Sequence, residues 1–372
     1  MNEDFLDKKI NERKEQNSFR QLSLSKDGMI DFCSNDYLGI VKNDLLNPSG
    51  HFEQPDRSGA TGSRLLTGNY KLIEETEQFI ANFHNAESGL IFNSGYDANV
   101  GLLSCVPQRG DTVLYDYSSH ASIRDGIRLS FAQSFSFRHN DVNDLEERLK
   151  KVPALNGRNI FVVTESVFSM DGDLCPLKEL TALCEIYNAN LIIDEAHATG
   201  IIGEKGEGLV QNLNLESKIF ARIHTFGKAI GVHGAIVLGS TTLRDFLVNF
   251  ARSFIYSTAL PPAAIAMVKA GYELFPSLRK ERDRLKKLIK AIRHSSIKDR
   301  FMASETPIQG VIIQGNEQAK RAARLLQDNK IDVRPILYPT VPKNQERLRI
   351  VLHSFNSENE LDLLLDLVEK CF

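Results

Sequence analysis

The chain has 372 residues, enough to bury a substantial core in more than one structural unit. Hydrophobic residues make up 42% and charged residues 25%, with 45 basic against 48 acidic side chains and a net charge of −3. That balance offers no electrostatic attraction to nucleic acid or to an anionic membrane, and no apolar run is long enough to span a bilayer. Cys33, Cys105, Cys175, Cys184 and Cys371 are scattered and contain no C-x-x-C pair, so neither a metal nor a disulfide framework is expected.

The first twenty residues, beginning "MNEDFLDKKINERKEQ", alternate charge with Phe5, Leu6 and Ile10 and predict an amphipathic helix. They lack the apolar centre of a secretion signal, and the scattered cysteines read as reduced thiols, as expected of a cytoplasmic protein. "GMIDFCSNDYLGI" reads as a short strand and turn. From about residue 70 to 260, helices alternate with short apolar runs: "GLIFNS" (89–94), "DTVLYD" (111–116), "NIFVVTES" (159–166), "NLIIDEA" (190–196), "IFARIH" (219–224) and "GAIVLG" (234–239). Amphipathic stretches such as "DVNDLEERLKKV" and "PLKELTALCEIY" lie between them. Apolar strands without strict alternation, separated by helices, predict an α/β fold whose mainly parallel sheet is covered on both faces.

After "YSTALPPAA" the character changes. The charged helix "LRKERDRLKKLIKAIRH", the strand "IQGVIIQG", the helix "EQAKRAARLLQDN", then "DVRPILYPTVP" and "RLRIVLHS" predict a smaller α/β unit. The expected division is an N-terminal arm and helix over 1–43, a large domain over 44–260 and a small C-terminal domain over 261–372.

Open α/β sheets bind ligands beyond the carboxyl ends of their strands, and the informative polar residues fall there. "NLIIDEAHATG" ends an apolar run with Asp194 and places His197 three residues on. Alone, such an acid caps a turn. In a low-dielectric site it needs a cation, and a protonated pyridine nitrogen is one, with His197 free to bond elsewhere on the same ring. "NSGYDANVG" (93–101) turns from strand to helix, so the N–H groups of Gly95 and Tyr96 form an anion site. "VTESVFSMDGD" adds the hydroxyl of Ser169, and "YDYSSHASI" puts His120 at a helix start. "HTFGKAIGVHGA" (224–235) sets Lys228 in a turn with Gly231 and Gly234 between two strands.

Each of these is ordinary by itself: a solvated lysine, a strand-end acid, a capping histidine. Together, at one edge of one sheet, they are the equipment for pyridoxal phosphate (PLP). Lys228 becomes a nucleophile forming a Schiff base, Asp194 keeps the ring nitrogen protonated, and the helix terminus takes the phosphate.

In order, "NDYLG", "NSGYDAN", "SHASIRDG", "TESVFSMDGD", "DEAHATGIIGEKGEG", "TFGKAIGVHGA", "YSTALPP" and "PTVPKNQERLRI" resemble the α-oxoamine synthases. These are fold-type I PLP enzymes that condense an amino acid with an acyl thioester, and the resemblance runs from about residue 5 to the C-terminus. It implies Lys228 as the Schiff-base lysine, Asp194 as the pyridinium partner, His197 as donor to the ring hydroxyl and His120 as the stacking group. It also implies that Gly95 and Tyr96 (through their backbone), Ser169 and Thr225 hold ring or phosphate. Thr258 would reach the neighbour's phosphate in a homodimer with shared active sites.

Arg349, in "RLRI", resembles the arginine that takes the amino acid's carboxylate, a role suited to a planar fork. Arg20, in "SFRQL", and Thr340, in "PTVP", resemble residues that meet the acyl substrate. The glycine-rich "RSGATGSRLLTGN" departs from the family's commoner "GSGGSR" form. A plain aminotransferase would use the same lysine and aspartate without an acyl thioester, but "SHAS" with "VFSMDGD" resembles the acyl-transferring group. A non-catalytic subunit would lack the lysine, which is present.

Overall fold

A computed structural model describes residues 2–22, 24, 27–46, 58–152 and 157–372. Its strands, in chain order, are β1 (Ile30–Asp31), β2 (Ser88–Phe92), β3 (Thr112–Asp116), β4 (Gln133–Phe137), β5 (Ile160–Glu165), β6 (Ala189–Asp194), β7 (Ala221–Thr225), β8 (Ala235–Gly239), β9 (Ile308–Ile312), β10 (Ile331–Asp332), β11 (Arg334–Ile336) and β12 (Arg347–Val351). The chain forms two compact units.

The large unit holds residues 38–169 and 174–282. Its seven strands lie in the order β2-β8-β7-β6-β5-β3-β4, and β8 alone runs against the others. This is a mainly parallel α/β sheet, and its central strands are apolar on both faces because helices cover both. Leu191, Ile192 and Ile193 of β6 are all buried, as are Phe161, Val162 and Val163 of β5. Leu90, Phe92, Leu102, Ile123, Val163, Ile192, Ile223 and Val237 form one packed cluster. Helices Gly95–Cys105 and Ala121–Leu129 pack against each other, and the ends of β2 and β3 feed them. Helix Pro262–Leu274 packs on helix Lys71–Phe83, which is why this unit reaches Arg282.

One strand has no counterpart in the sequence reading. β4 ("QSFSF") pairs only with β3 at the sheet's edge, and Gln133, Ser134 and Phe135 are exposed. An edge strand with one wet face needs no apolar run, so it left no such run to find.

The small unit holds residues 2–37, 170–173 and 283–372. An antiparallel sheet of β11-β12-β9 is accompanied by helices Asn316–Asp328 and Glu358–Glu369, which pack together. Ser357 starts the second helix with a reciprocal capping box to Glu360, an arrangement worth about 1 kcal/mol per satisfied end. The N-terminal part of the chain is stitched to this C-terminal material. β1 pairs in parallel with β10, the Ser354 N–H donates to the Tyr37 carbonyl (2.8 Å), and Asn356 Nδ2 donates to the Asp31 carbonyl (3.1 Å). The predicted amphipathic helix spans Asp4–Glu15, and none of its residues is buried.

Candidate active site

The site in the large unit is built from the carboxyl ends of β5, β6 and β7. Asp194 is the last residue of β6 and is 5% exposed. Its Oδ2 accepts from Asn99 Nδ2 (2.8 Å) and its Oδ1 from the backbone N–H of Ala196 (2.9 Å). Both donors are neutral, and no ion pair to Asp194 occurs among the described residues. A protonated pyridine nitrogen would give this buried carboxylate a partner of opposite charge.

The turn after β6 carries His197, also 5% exposed, whose Nε2 lies 2.7 Å from Lys228 Nζ. Lys228 sits in the turn joining β7 to β8. The Phe226 N–H bonds the Gly234 carbonyl (2.9 Å), and the Gly231 N–H bonds the Lys228 carbonyl (2.8 Å). Gly234 has φ +111°, and a Cβ there would stand 2.9 Å from Leu260, so only glycine closes this turn without strain. Thr199 ties the turn after β6 to His224 on β7. Thr199 Oγ1 donates to the Glu195 carbonyl (2.8 Å) and meets His224 Nδ1 at 2.9 Å.

His120 caps helix Ala121–Leu129, with Nδ1 accepting from the Ser122 N–H (3.2 Å) and lying 2.8 Å from Ser122 Oγ. Its own backbone N–H donates to Glu165 Oε1 (2.6 Å). The protein packed around the imidazole lowers its pKa; Lys228 acts in the same direction, while Asp194 and Asp125 oppose. Glu165 ends β5 beside Asp194 and is 3% exposed. Burial raises its pKa to about 8, the neighbouring Asp194 charge adds to this, and the His120 N–H and Lys228 oppose it.

Helix Gly95–Cys105 begins at the end of β2, where Ser94 Oγ accepts the Asp97 N–H (3.0 Å). The N–H groups of Gly95 and Tyr96 have no acceptor among the described residues, the condition for holding a phosphate. A Cβ on Gly95 would lie 3.5 Å from Thr225 Oγ1, so this helix start and the end of β7 are adjacent. The Tyr96 side chain is 47% exposed and its hydroxyl donates to Asp125 (2.7 Å). Ser169 is half-buried in the turn following β5. Thr258 is exposed, bridges to Ser63, and its carbonyl accepts from Asn93 Nδ2 (2.9 Å).

In the small unit, Arg349 on β12 donates from Nη2 to Asn35 Oδ1 (3.1 Å), which also accepts from the Tyr37 hydroxyl (3.2 Å). Arg20 Nη2 donates to Thr340 Oγ1 (3.0 Å), between two exposed side chains. Arg20 lines a groove of about 680 Å³ with Leu6, Ile10, Phe19, Tyr338 and Pro339. Arg57, at the head of the unusual glycine-rich loop, lies outside the described residues.

The structure thus brings together Lys228, His197, Asp194, His120, Gly95 and Thr225 within one unit. Sequence reasoning missed Asn99, Ser122, Glu165 and Asn35. A signal for Glu165 existed, since it is a charge ending an apolar strand, as Asp194 is. Asn99 and Asn35 lay inside quoted motifs without being singled out.

The Aminotransferase class I and II family matches residues 27–368. The 8-amino-7-oxononanoate synthase of Emericella nidulans is 40% identical over 98% of this chain and 94% of its own. A putative 8-amino-7-oxononanoate synthase of Methanococcus vannielii is 41% identical over 96% of each. Among solved structures, a Sphingomonas wittichii serine palmitoyltransferase superposes with TM-score 0.82 at 28% identity, covering 92% of this chain and 87% of that one. The 8-amino-7-oxononanoate synthase of Francisella tularensis superposes at 0.76 and 29%, covering 93% and 98%. A serine palmitoyltransferase from S. paucimobilis with bound PLP reaches 0.86 at 26%, over 99% and 97%. With the Lys228 turn and the Asp194 strand end in place, the chain belongs to the class I and II aminotransferase family and, within it, to the fold-type I α-oxoamine synthases, PLP-dependent acyltransferases of the 8-amino-7-oxononanoate synthase type.

Proposed function

We propose that the protein condenses L-alanine with a pimeloyl thioester, of coenzyme A or of a carrier protein, to give 8-amino-7-oxononanoate, carbon dioxide and the free thiol. The observation that carries the chemistry is Lys228 Nζ at 2.7 Å from His197, on the turn that follows Asp194. The relatives' names support the choice of substrates. In this reading the enzyme is a cytoplasmic homodimer. Separately, no helix among the described residues is long and apolar enough to cross a membrane.

Bound PLP supplies an electron sink for the pair left on the amino acid's Cα. The protein's residues do the rest. Lys228 anchors the cofactor covalently and, once displaced by the amino acid, its Nζ takes the Cα proton and later returns one. Asn99 and the Ala196 N–H bond the two oxygens of Asp194 and fix the carboxyl group that would face the ring nitrogen. His197 would donate to the ring hydroxyl, and Gly95, Tyr96, Ser169 and Thr225 would hold ring and phosphate, with Thr258 reaching a neighbour's phosphate. His120 would cover the cofactor face and restrict how the amino acid lies. Arg349 offers a fork for the amino acid's carboxylate, and Arg20 with Thr340 a contact for the distal end of the acyl chain.

The structural likeness to serine palmitoyltransferases favours one second reading, a sister synthase joining another amino acid to another acyl chain. Glycine C-acetyltransferase and 5-aminolevulinate synthase chemistries belong to the same group. Purified protein given a panel of amino acids and acyl thioesters distinguishes them, with free thiol followed and the product identified by mass. Thiol release with alanine and pimeloyl thioester is expected. A preference for serine with a long-chain thioester would move the protein to the sister class. Formation of pyridoxamine phosphate without thiol release would make it a plain aminotransferase.

A further inference from the structure

A chain of polar groups runs between Asp194 and His120. Asn99, in the second turn of helix Gly95–Cys105, is buried, and its Nδ2 reaches Asp194 Oδ2 (2.8 Å) and Ser122 Oγ (3.0 Å). Ser122 Oγ in turn lies 2.8 Å from His120 Nδ1. We propose that Asn99 and Ser122 are positioning residues that join Asp194 to His120 and hold the His120 ring in the tautomer that carries its proton on Nε2.

The direction of each bond follows from donor counting. A carboxylate only accepts, so the Asn99 amide must present Nδ2 to Asp194; the reversed amide would set oxygen against oxygen at 2.8 Å. Asn99 Oδ1 is then buried and without a partner among the described residues. The second Nδ2 hydrogen goes to Ser122 Oγ, leaving the Ser122 hydroxyl proton for His120. At Nδ1 the choice is settled by a permanent donor, the Ser122 backbone N–H at 3.2 Å. An Nδ1–H would face that N–H head-on, so Nδ1 must offer its lone pair and the ring proton must sit on Nε2. Protonating the ring would force the same clash, so the contact keeps His120 neutral. The charged groups that bear on the ring, Asp194 and Asp125 raising its pKa and Lys228 lowering it, do not alter this local geometry. Glu165 fixes the other side of the residue by accepting the His120 backbone N–H.

The consequence for catalysis rests on His120 facing the cofactor, but the tautomer can be read with no substrate present. Nitrogen-15 NMR of the histidine-labelled holoenzyme tests it, with the His120 signal identified by its loss in His120→Asn. The expected result is an unprotonated Nδ1 and a protonated Nε2 at neutral pH. Ser122→Ala should raise the His120 titration midpoint by about one pH unit, because a bond accepted by the neutral ring is lost, and Ser122→Thr should restore it. Asn99→Leu should shift the pH midpoint of the chromophore formed by PLP on Lys228 and lower kcat about tenfold, with the KM for the amino acid nearly unchanged. A wild-type His120 protonated on Nδ1 would overturn the proposal, whether or not any variant folds. So would variants in which both midpoints stay at the wild-type values. A change of preferred amino acid or acyl chain would leave it standing, and so separates its failure from that of the proposed reaction.

Discussion

Asp194 in the large unit and Arg20 in the small unit are both charged side chains with proposed contacts to a small molecule, and they are held on opposite terms. Asp194 is 5% exposed, with both oxygens bonded to groups that are themselves fixed by a sheet end and a helix. Arg20 is exposed and makes one hydrogen bond to an exposed threonine. Away from water an opposite charge interacts several times more strongly than at the surface, and a pre-fixed group reorganises little when charge develops. The buried end should therefore govern rate and the exposed one affinity.

The severest way to break this comparison is Lys228→Ala. It removes both the covalent anchor and the base, and turnover should fall by about three orders of magnitude or more while the circular dichroism spectrum is retained. Borohydride reduction of the wild type should bleach its yellow colour and leave the label on Lys228; a label on another lysine would displace it from the site. Next in size, Asp194→Asn should lower kcat about 100-fold or more with PLP still bound, read as lost exchange of alanine's Cα proton in deuterated water. Undiminished exchange would remove Asp194 from the chemistry.

Glu165 sharpens the buried side through stability. Its pKa is raised in the fold to about 8 from the ordinary 4.5, chiefly by burial. The stability it contributes is therefore whole below about pH 4.5 and is lost as pH rises through about 8. Glu165→Gln, which keeps an acceptor for the His120 N–H, should be near wild type in urea unfolding at pH 5. At pH 8 it should be more stable by about 1–3 kcal/mol. A pH-independent difference would show that Glu165 is ionised in the fold. The smallest effect belongs to the exposed side. Arg20→Ala should raise the KM for pimeloyl thioester about tenfold or less and leave alanine binding unchanged. Equal losses with carboxylated and uncarboxylated acyl donors would mean that Arg20 does not read the distal carboxylate.

The same contrast separates what was legible in the sequence from what was not. β5, β6 and β7 could be read because strands buried on both faces must be apolar throughout, and the charge that ends β6 stands out against such a run. β4 could not, because its exposed edge imposes no such demand. The Lys228 turn declared itself through glycines that the backbone needs. Asn99 did not, because its value lies in two bonds to residues 23 and 95 positions away, which no local pattern encodes. Asparagine is a poor residue for a helix interior, so its presence in the second turn of a buried helix was the one available hint. Asn35 meets Arg349 across 314 positions and offered not even that.

That long reach also sets the order in which the protein is completed at the ribosome. The small unit takes its first segment from residues up to Tyr37 and does not resume in bulk until Asp283, some 246 positions later (283 − 37). At roughly 5–20 residues per second, the strand Ile30–Asp31 waits about 15–60 s for its partner Ile331–Asp332 to be made. The large unit can collapse meanwhile, with most of its sequence already synthesised. During that interval the early segment, with exposed Phe5, Leu6 and Phe19 nearby, is a natural client for chaperones, and pausing translation before residue 331 should lengthen that dependence.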